Sequence, residues 1–141
     1  GMLALTVRFP DHRPLRRELV PARQQVARLE ANAGRFDAAF AIAEAGVAQT
    51  AAARRETPKG AQEADDHLMS LGMLAWIAER HAAMPADGIE PAERQRRRTR
   101  AADALTAQLQ CAQELDAAQL LEPRRRSLLD DLPPRIATWR E

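Results

Sequence analysis

Apolar residues recur along most of the chain with the spacing of an α-helix. The clearest stripe alternates steps of four and three positions and consists of Leu15, Leu19, Ala22, Val26, Leu29 and Ala33. Such a stripe forms one apolar face of an amphipathic helix. Pro21 lies inside it, and because proline lacks an N–H and fits a first helical turn, we predict a secure helix from Pro21 to Ala33. Gly34 should end this helix, since glycine tolerates the left-handed conformation of a helix terminus.

Further helical segments follow, separated by proline and glycine. The predicted helices run from Arg35 to about Arg55, from Ala61 to Met84 and from Pro91 to about Leu121, followed by a short segment that starts at Pro123 and is stopped by Pro133 and Pro134. The third helix has apolar residues on several sides, so we expect it to be the most buried element. The bend at Gly34 should bring the first two helices side by side, with Phe36 and Phe40 in the seam.

The first fourteen residues have a different pattern. Leu3, Leu5, Val7 and Phe9 alternate with other residues, which is the spacing of a strand. A lone strand cannot satisfy its own backbone groups. We therefore predict an N-terminal extension over residues 1–14, either a short strand that pairs with a second subunit or a tail packed on the helices, and a single helical domain over residues 15–141.

Composition supports an all-α fold. Alanine, the best helix former, is the commonest residue, and aromatic residues make up only 4% of the chain. We expect four main antiparallel helices plus a short C-terminal helix, arranged as stacked hairpins or as an up-and-down bundle. A net charge of +1, a single cysteine and the lack of a membrane-length apolar run indicate a cytoplasmic protein with no membrane association.

One hairpin resembles a known repeat. The glycine, aromatic, alanine and small-residue pattern of a tetratricopeptide hairpin is matched by Gly34, Phe36, Ala39 and Gly46, and Val26-Ala27 stands where that family has leucine and glycine. The chain departs from the family at three positions. Arg23 stands where the family has a tryptophan in the first helix, and Glu30 stands where it has a central aromatic residue. The proline at the end of the repeat is displaced to Pro58. The resemblance covers about one hairpin and implies a protein-binding scaffold.

Two groups of residues are candidates for partner binding. Arg94, Arg97 and Arg98 share one face of the fourth helix, where they could bind phosphates or an acidic peptide, although a solvated helix face explains the same run. No aromatic residues are interleaved with these arginines, so nucleic-acid binding is the weaker interpretation. Met69, Met73 and Trp76 on the third helix are either core residues or an adaptable groove for a partner helix.

Catalytic and cofactor motifs are missing from the sequence. Glu63 and His67 share a helix face, but no second acid–histidine pair repeats on another helix, as a helical dinuclear metal site would require. We interpret His81 and Cys111 as structural residues. The sequence therefore predicts a non-enzymatic protein–protein interaction module without a cofactor and with an unknown protein partner. A self-associating homodimeric bundle is the alternative, and a nucleic-acid-binding protein is a weaker one.

Overall fold

A computed structural model describes the backbone of residues 13–141 and the side chains of residues 20–141. The elements are α1 Arg13–Asn32, α2 Phe36–Glu56, α3 Ala61–Ala82, α4 Pro91–Ala117, a 3-10 turn Pro123–Arg125 and α5 Leu128–Arg140. This confirms the predicted all-α class of four main helices plus a short C-terminal helix, and residues 13–141 contain no strand. The predicted N-terminal extension, residues 1–14, lies outside the described residues except for its last two, which begin α1.

The helices are packed in chain order. Each of α1 to α4 packs against the next helix, and α1 also contacts α3. The third helix thus contacts α1, α2 and α4, and it also contacts α5 through Glu79 and Ala75. Within the described part of the chain, none of the helices combines the length and the apolar character needed to cross a membrane.

The corner after α1 has the predicted glycine geometry. Gly34 has a φ of +82°, in the left-handed region. Its N–H donates to the carbonyl of Ala31 at 3.0 Å, and the N–H of Arg35 donates to the carbonyl of Glu30 at 2.9 Å. This pair of bonds is a Schellman motif, which satisfies carbonyl groups that the end of a helix leaves unpaired. The Arg35 side chain also pairs with Glu30 at 2.6 Å across the corner.

The first core cluster fills the seam between the first two helices. Phe36 and Phe40 of α2 are buried against Ala27 and Ala31 of α1 and against Ile77 of α3. This confirms the predicted placement of the phenylalanine rings. The rest of the core lies between α3, α4 and α5. It contains further alanines and several leucines, of which Leu68, Leu105, Leu115 and Leu132 are fully buried.

The first helix differs from its prediction in start and orientation. It begins at Arg13 and continues through Pro21, which is exposed, so the proline removes one hydrogen bond without forcing its ring into the core. Val26 and Leu29 of the apolar stripe face outward, with 45% and 55% of their surface exposed. The small side chains of Ala27 and Ala31 face inward instead and let the α1 backbone approach α2 closely.

The C-terminal helix also exceeds its prediction, because Pro133 and Pro134 do not stop it. Both prolines are exposed, while Leu132 is fully buried beside Leu105. Trp139 packs on the same cluster, and its indole N–H donates to Glu79 at 2.9 Å. These contacts with α3 and α4 hold the helix along its length and offset the two hydrogen bonds that the prolines cannot make.

The fourth helix ends at Ala117, before the predicted Leu121. Gln119 adopts a left-handed φ of +60°. The N–H of Leu120 donates to the carbonyl of Leu115 at 2.7 Å, and that of Gln119 donates to the carbonyl of Asp116 at 3.1 Å. This is a second Schellman motif, formed here without glycine. The sequence carried no glycine signal for it, which is why the helix end was misplaced.

Candidate functional site

The predicted arginines lie together around one cleft. Arg94, Arg97 and Arg98 line a space of about 460 Å³ between the segment after α3 and the first turns of α4. The remaining lining residues are Ala82, Met84, Ala86, Ile89, Pro91 and Gln95. We call this space the arginine cleft. Its lining combines three arginines and one glutamine with five apolar residues.

Local sequence explains how the cleft forms. Pro91 occupies the first turn of α4, where its fixed φ suits a helix start. Arg97 and Arg98 lie three and four residues after Arg94, which places the three arginines on one helix face. Gly88, with a φ of +76°, turns the preceding segment so that Ile89 lines the same space.

The three arginines have different surroundings. Arg98 donates from Nη2 to the carbonyl oxygens of Thr138 at 2.8 Å and of Glu141 at 3.1 Å, and its guanidinium lies 5.4 Å from the centre of the Trp139 ring. It therefore anchors the end of α5. Arg97 is half-buried, and its Nε is withdrawn from solvent without a hydrogen-bond partner among the described residues. Arg94 is exposed.

Positive charge exceeds negative charge at the cleft. None of the lining residues is acidic. Glu93 pairs with Arg97 and with Arg96: its carboxylate lies 3.7 Å from Arg97 Nε and 3.5 Å from Arg96 Nη2, so one acid is shared by two arginines. An arginine cluster with this deficit is suited to bind an anion.

His81 lies behind the cleft and packs on the aromatic core. Its ring centre is 4.6 Å from that of Phe36 and 5.5 Å from that of Phe40. Burial, and next the positive charge of Arg97, lower the pKa of His81, against a smaller opposing effect of Glu93. The neutral imidazole is thus favoured, as expected for a structural histidine.

Met69, Met73 and Trp76 lie on one stripe of α3, and all three are half-buried. Met73 and Trp76 pack against the aromatic core cluster, and the guanidinium of Arg80 lies 4.9 Å from the Trp76 ring centre. Two of the three side chains therefore have a packing role. The role of Met69, Met73 and Trp76 in partner binding stays a prediction.

Sequence reasoning missed a second surface, which lies between α1 and α2. A shallow groove of about 330 Å³ is lined by Ala22, Arg23, Val26, Ala41, Ile42 and Ala45. Leu29 continues the outward-facing stripe one turn beyond Val26. We call the six lining residues together with Leu29 the α1–α2 groove. The signal was present in the sequence, because the stripe is regular, but the stripe was interpreted as a packed face.

The remaining titratable clusters have partners within the fold. The Asp65 carboxylate pairs with Arg125 at 3.1 Å, and Thr50 Oγ1 lies 3.0 Å from His67 Nδ1. Over residues 20–141, no group of three or more histidine, cysteine and acidic side chains is arranged to hold a metal ion. Burial raises the pKa of the Cys111 thiol, which disfavours a reactive thiolate.

No family model, no curated protein and no solved structure matches the chain. The tetratricopeptide resemblance therefore stays a prediction. In that family the small residues let neighbouring helices approach closely, but a Cβ added at Gly46 would meet no atom of another described helix within 4 Å. Helix contact thus does not require a small residue at that position. Function has to be inferred from the two surfaces themselves.

Proposed function

We propose that the protein is a non-enzymatic interaction module that binds an amphipathic helix of a protein partner in the α1–α2 groove. One observation carries this proposal: the most regular apolar stripe in the chain faces outward at Val26 and Leu29. Burying a side chain of this size stabilises a complex by about 1.5–3 kcal/mol, so the exposed half of each residue offers roughly 1 kcal/mol to a partner.

The shape of the groove favours a helix as the bound element. Ala22, Ala41 and Ala45 end at Cβ, so the backbones of α1 and α2 can be approached closely along their shared side. A partner helix with large apolar residues at positions i, i+3 or i+4, and i+7 would fill that space. The exposed alanines at 38 and 48 extend the flat surface along α2 in both directions.

A second copy of the chain is the second candidate for the partner, because the groove has complementary parts. Val26 and Leu29 project from α1, while the alanines of α2 leave a depression beside them. A two-fold dimer requires one surface that is complementary to itself, and projecting residues beside a depression meet this requirement. The result would be a four-helix interface formed by two α1–α2 hairpins.

The test uses the double variant Val26→Glu plus Leu29→Glu. Gln25→Glu is the matched control, since it adds a negative charge to the same exposed helix outside the groove lining. Thermal melting first establishes that both variants fold. Sedimentation velocity at low and high concentration then measures self-association, and affinity capture with quantitative mass spectrometry compares the proteins that each form retains.

We expect wild type and Gln25→Glu to retain the same partner or to dimerise equally, and the double variant to lose that interaction. Concentration-dependent dimerisation that only the double variant loses identifies the second copy as the partner. A monomeric wild type that retains the same proteins as the double variant contradicts the proposal.

A further inference from the structure

We propose that the arginine cleft binds a small amphiphilic anion, namely a carboxylate attached to a short apolar chain. The site is separate from the α1–α2 groove, and the proposal does not depend on the function suggested for that groove. The two surfaces share no lining residue.

The cleft has the size and wall of a small-molecule site. Its volume of about 460 Å³ lies within the range of about 300–1,000 Å³ that is usual for ligand pockets. Met84, Ala86 and Ile89 provide apolar surface from the connecting segment, and Pro91 adds to it from the first turn of α4. Such a wall is suited to a hydrocarbon chain and offers little to a fully hydrated ion such as inorganic phosphate.

The opposite wall provides the charge. Arg94 and Arg97 line the same space, and the Glu93 carboxylate that pairs with Arg97 is shared with Arg96. Arg97 Nε is also withdrawn from water without a hydrogen-bond partner among the described residues. A guanidinium nitrogen that is withdrawn from water without a hydrogen-bond partner is costly, and an anion placed in the cleft would compensate the charge of the half-buried Arg97.

Arg98 has a positioning role at this site. Its Nη2 donors are used by the carbonyl oxygens of Thr138 and Glu141, so it ties the cleft to the end of α5. Arg94 and Arg97 remain to bind the ligand carboxylate. We therefore expect loss of either of these two to weaken anion binding, since a charge-assisted hydrogen bond is strong enough to change affinity about tenfold.

The test titrates the full chain with octanoate by isothermal calorimetry. Three control ligands separate the two parts of octanoate. Octanol has the hydrocarbon chain without the charge, and acetate has the carboxylate without a long hydrocarbon chain. Inorganic phosphate is an anion with no hydrocarbon part. The variants are Arg94→Gln and Arg97→Gln. Arg100→Gln is the matched control, because Arg100 lies on the same helix, pairs with Glu44 at 2.7 Å and does not line the cleft.

We expect saturable octanoate binding that exceeds binding of octanol, acetate and phosphate. It should be weakened about tenfold in Arg94→Gln and Arg97→Gln and unchanged in Arg100→Gln. If Arg97→Gln fails to fold, Arg94→Gln decides the result, because Arg94 is exposed. Equal binding of octanoate and octanol, equal binding in all variants or the absence of saturable binding would each overturn the proposal. The double variant Val26→Glu plus Leu29→Glu must bind octanoate normally, since loss there would move the site to the α1–α2 groove.

Discussion

Replacing Gly46 with alanine should stabilise the protein, because a glycine occupies the middle of α2 without a structural requirement for it. Gly46 does not have a positive φ, and no described heavy atom lies within 4 Å of an added Cβ. Alanine is favoured over glycine in a helix interior by about 1 kcal/mol.

We therefore expect the free energy of unfolding to rise by about 1 kcal/mol and the melting temperature to rise by roughly 3–5 °C for a chain of this size. Urea denaturation followed by circular dichroism measures the first, and a thermal scan measures the second. Gly34→Ala is the matched control, since its φ of +82° should make the same substitution destabilising by about 1 kcal/mol. A destabilised Gly46→Ala variant, or one indistinguishable from Gly34→Ala, would refute the reasoning.

Two further predictions concern the core and the response to pH. Leu105→Ala should lower the free energy of unfolding by about 2–5 kcal/mol because Leu105 is fully buried. Leu29→Ala should change it by less than about 0.5 kcal/mol because Leu29 is exposed. Urea denaturation midpoints measure both effects, and equal effects would contradict the assigned burial. The pKa of His81 is lowered in the folded chain, so the unfolded chain binds more protons and stability should fall as pH drops from about 7.5 to about 5. Melting curves across this range should show a shallower pH dependence for His81→Gln, and an unchanged dependence would exclude His81 as a contributor.

Helix boundaries could be predicted where the chain carries an unambiguous signal. Gly34 adopts the left-handed geometry expected from its position, and Pro91 begins α4 as predicted. Boundaries were missed where tertiary contacts outweigh local preference. Pro133 and Pro134 lie inside α5 because Leu132 and its neighbours pack on α3 and α4. Glutamine in a left-handed conformation after α4 gives no signal in a single sequence.

The candidate surfaces were predicted only in part. The spacing of Arg94, Arg97 and Arg98 placed them on one helix face. Much of the apolar lining beside them comes from the segment after α3, which periodicity cannot position. The outward orientation of Val26 and Leu29 could not be predicted either. Periodicity identifies which residues share a face, and only packing shows that the alanine face of α1 is the one that contacts α2.

An interior made largely of alanine limits how this chain tolerates mutation. Ala75 on α3 and Ala102 on α4 are fully buried, and each can lose only a single methyl group. Enlarging such a residue would push neighbouring helices apart, at a typical cost of about 1–3 kcal/mol. Sequence drift at these seams should therefore be confined to glycine, alanine and serine, while the leucine positions tolerate exchange among aliphatic residues of similar volume.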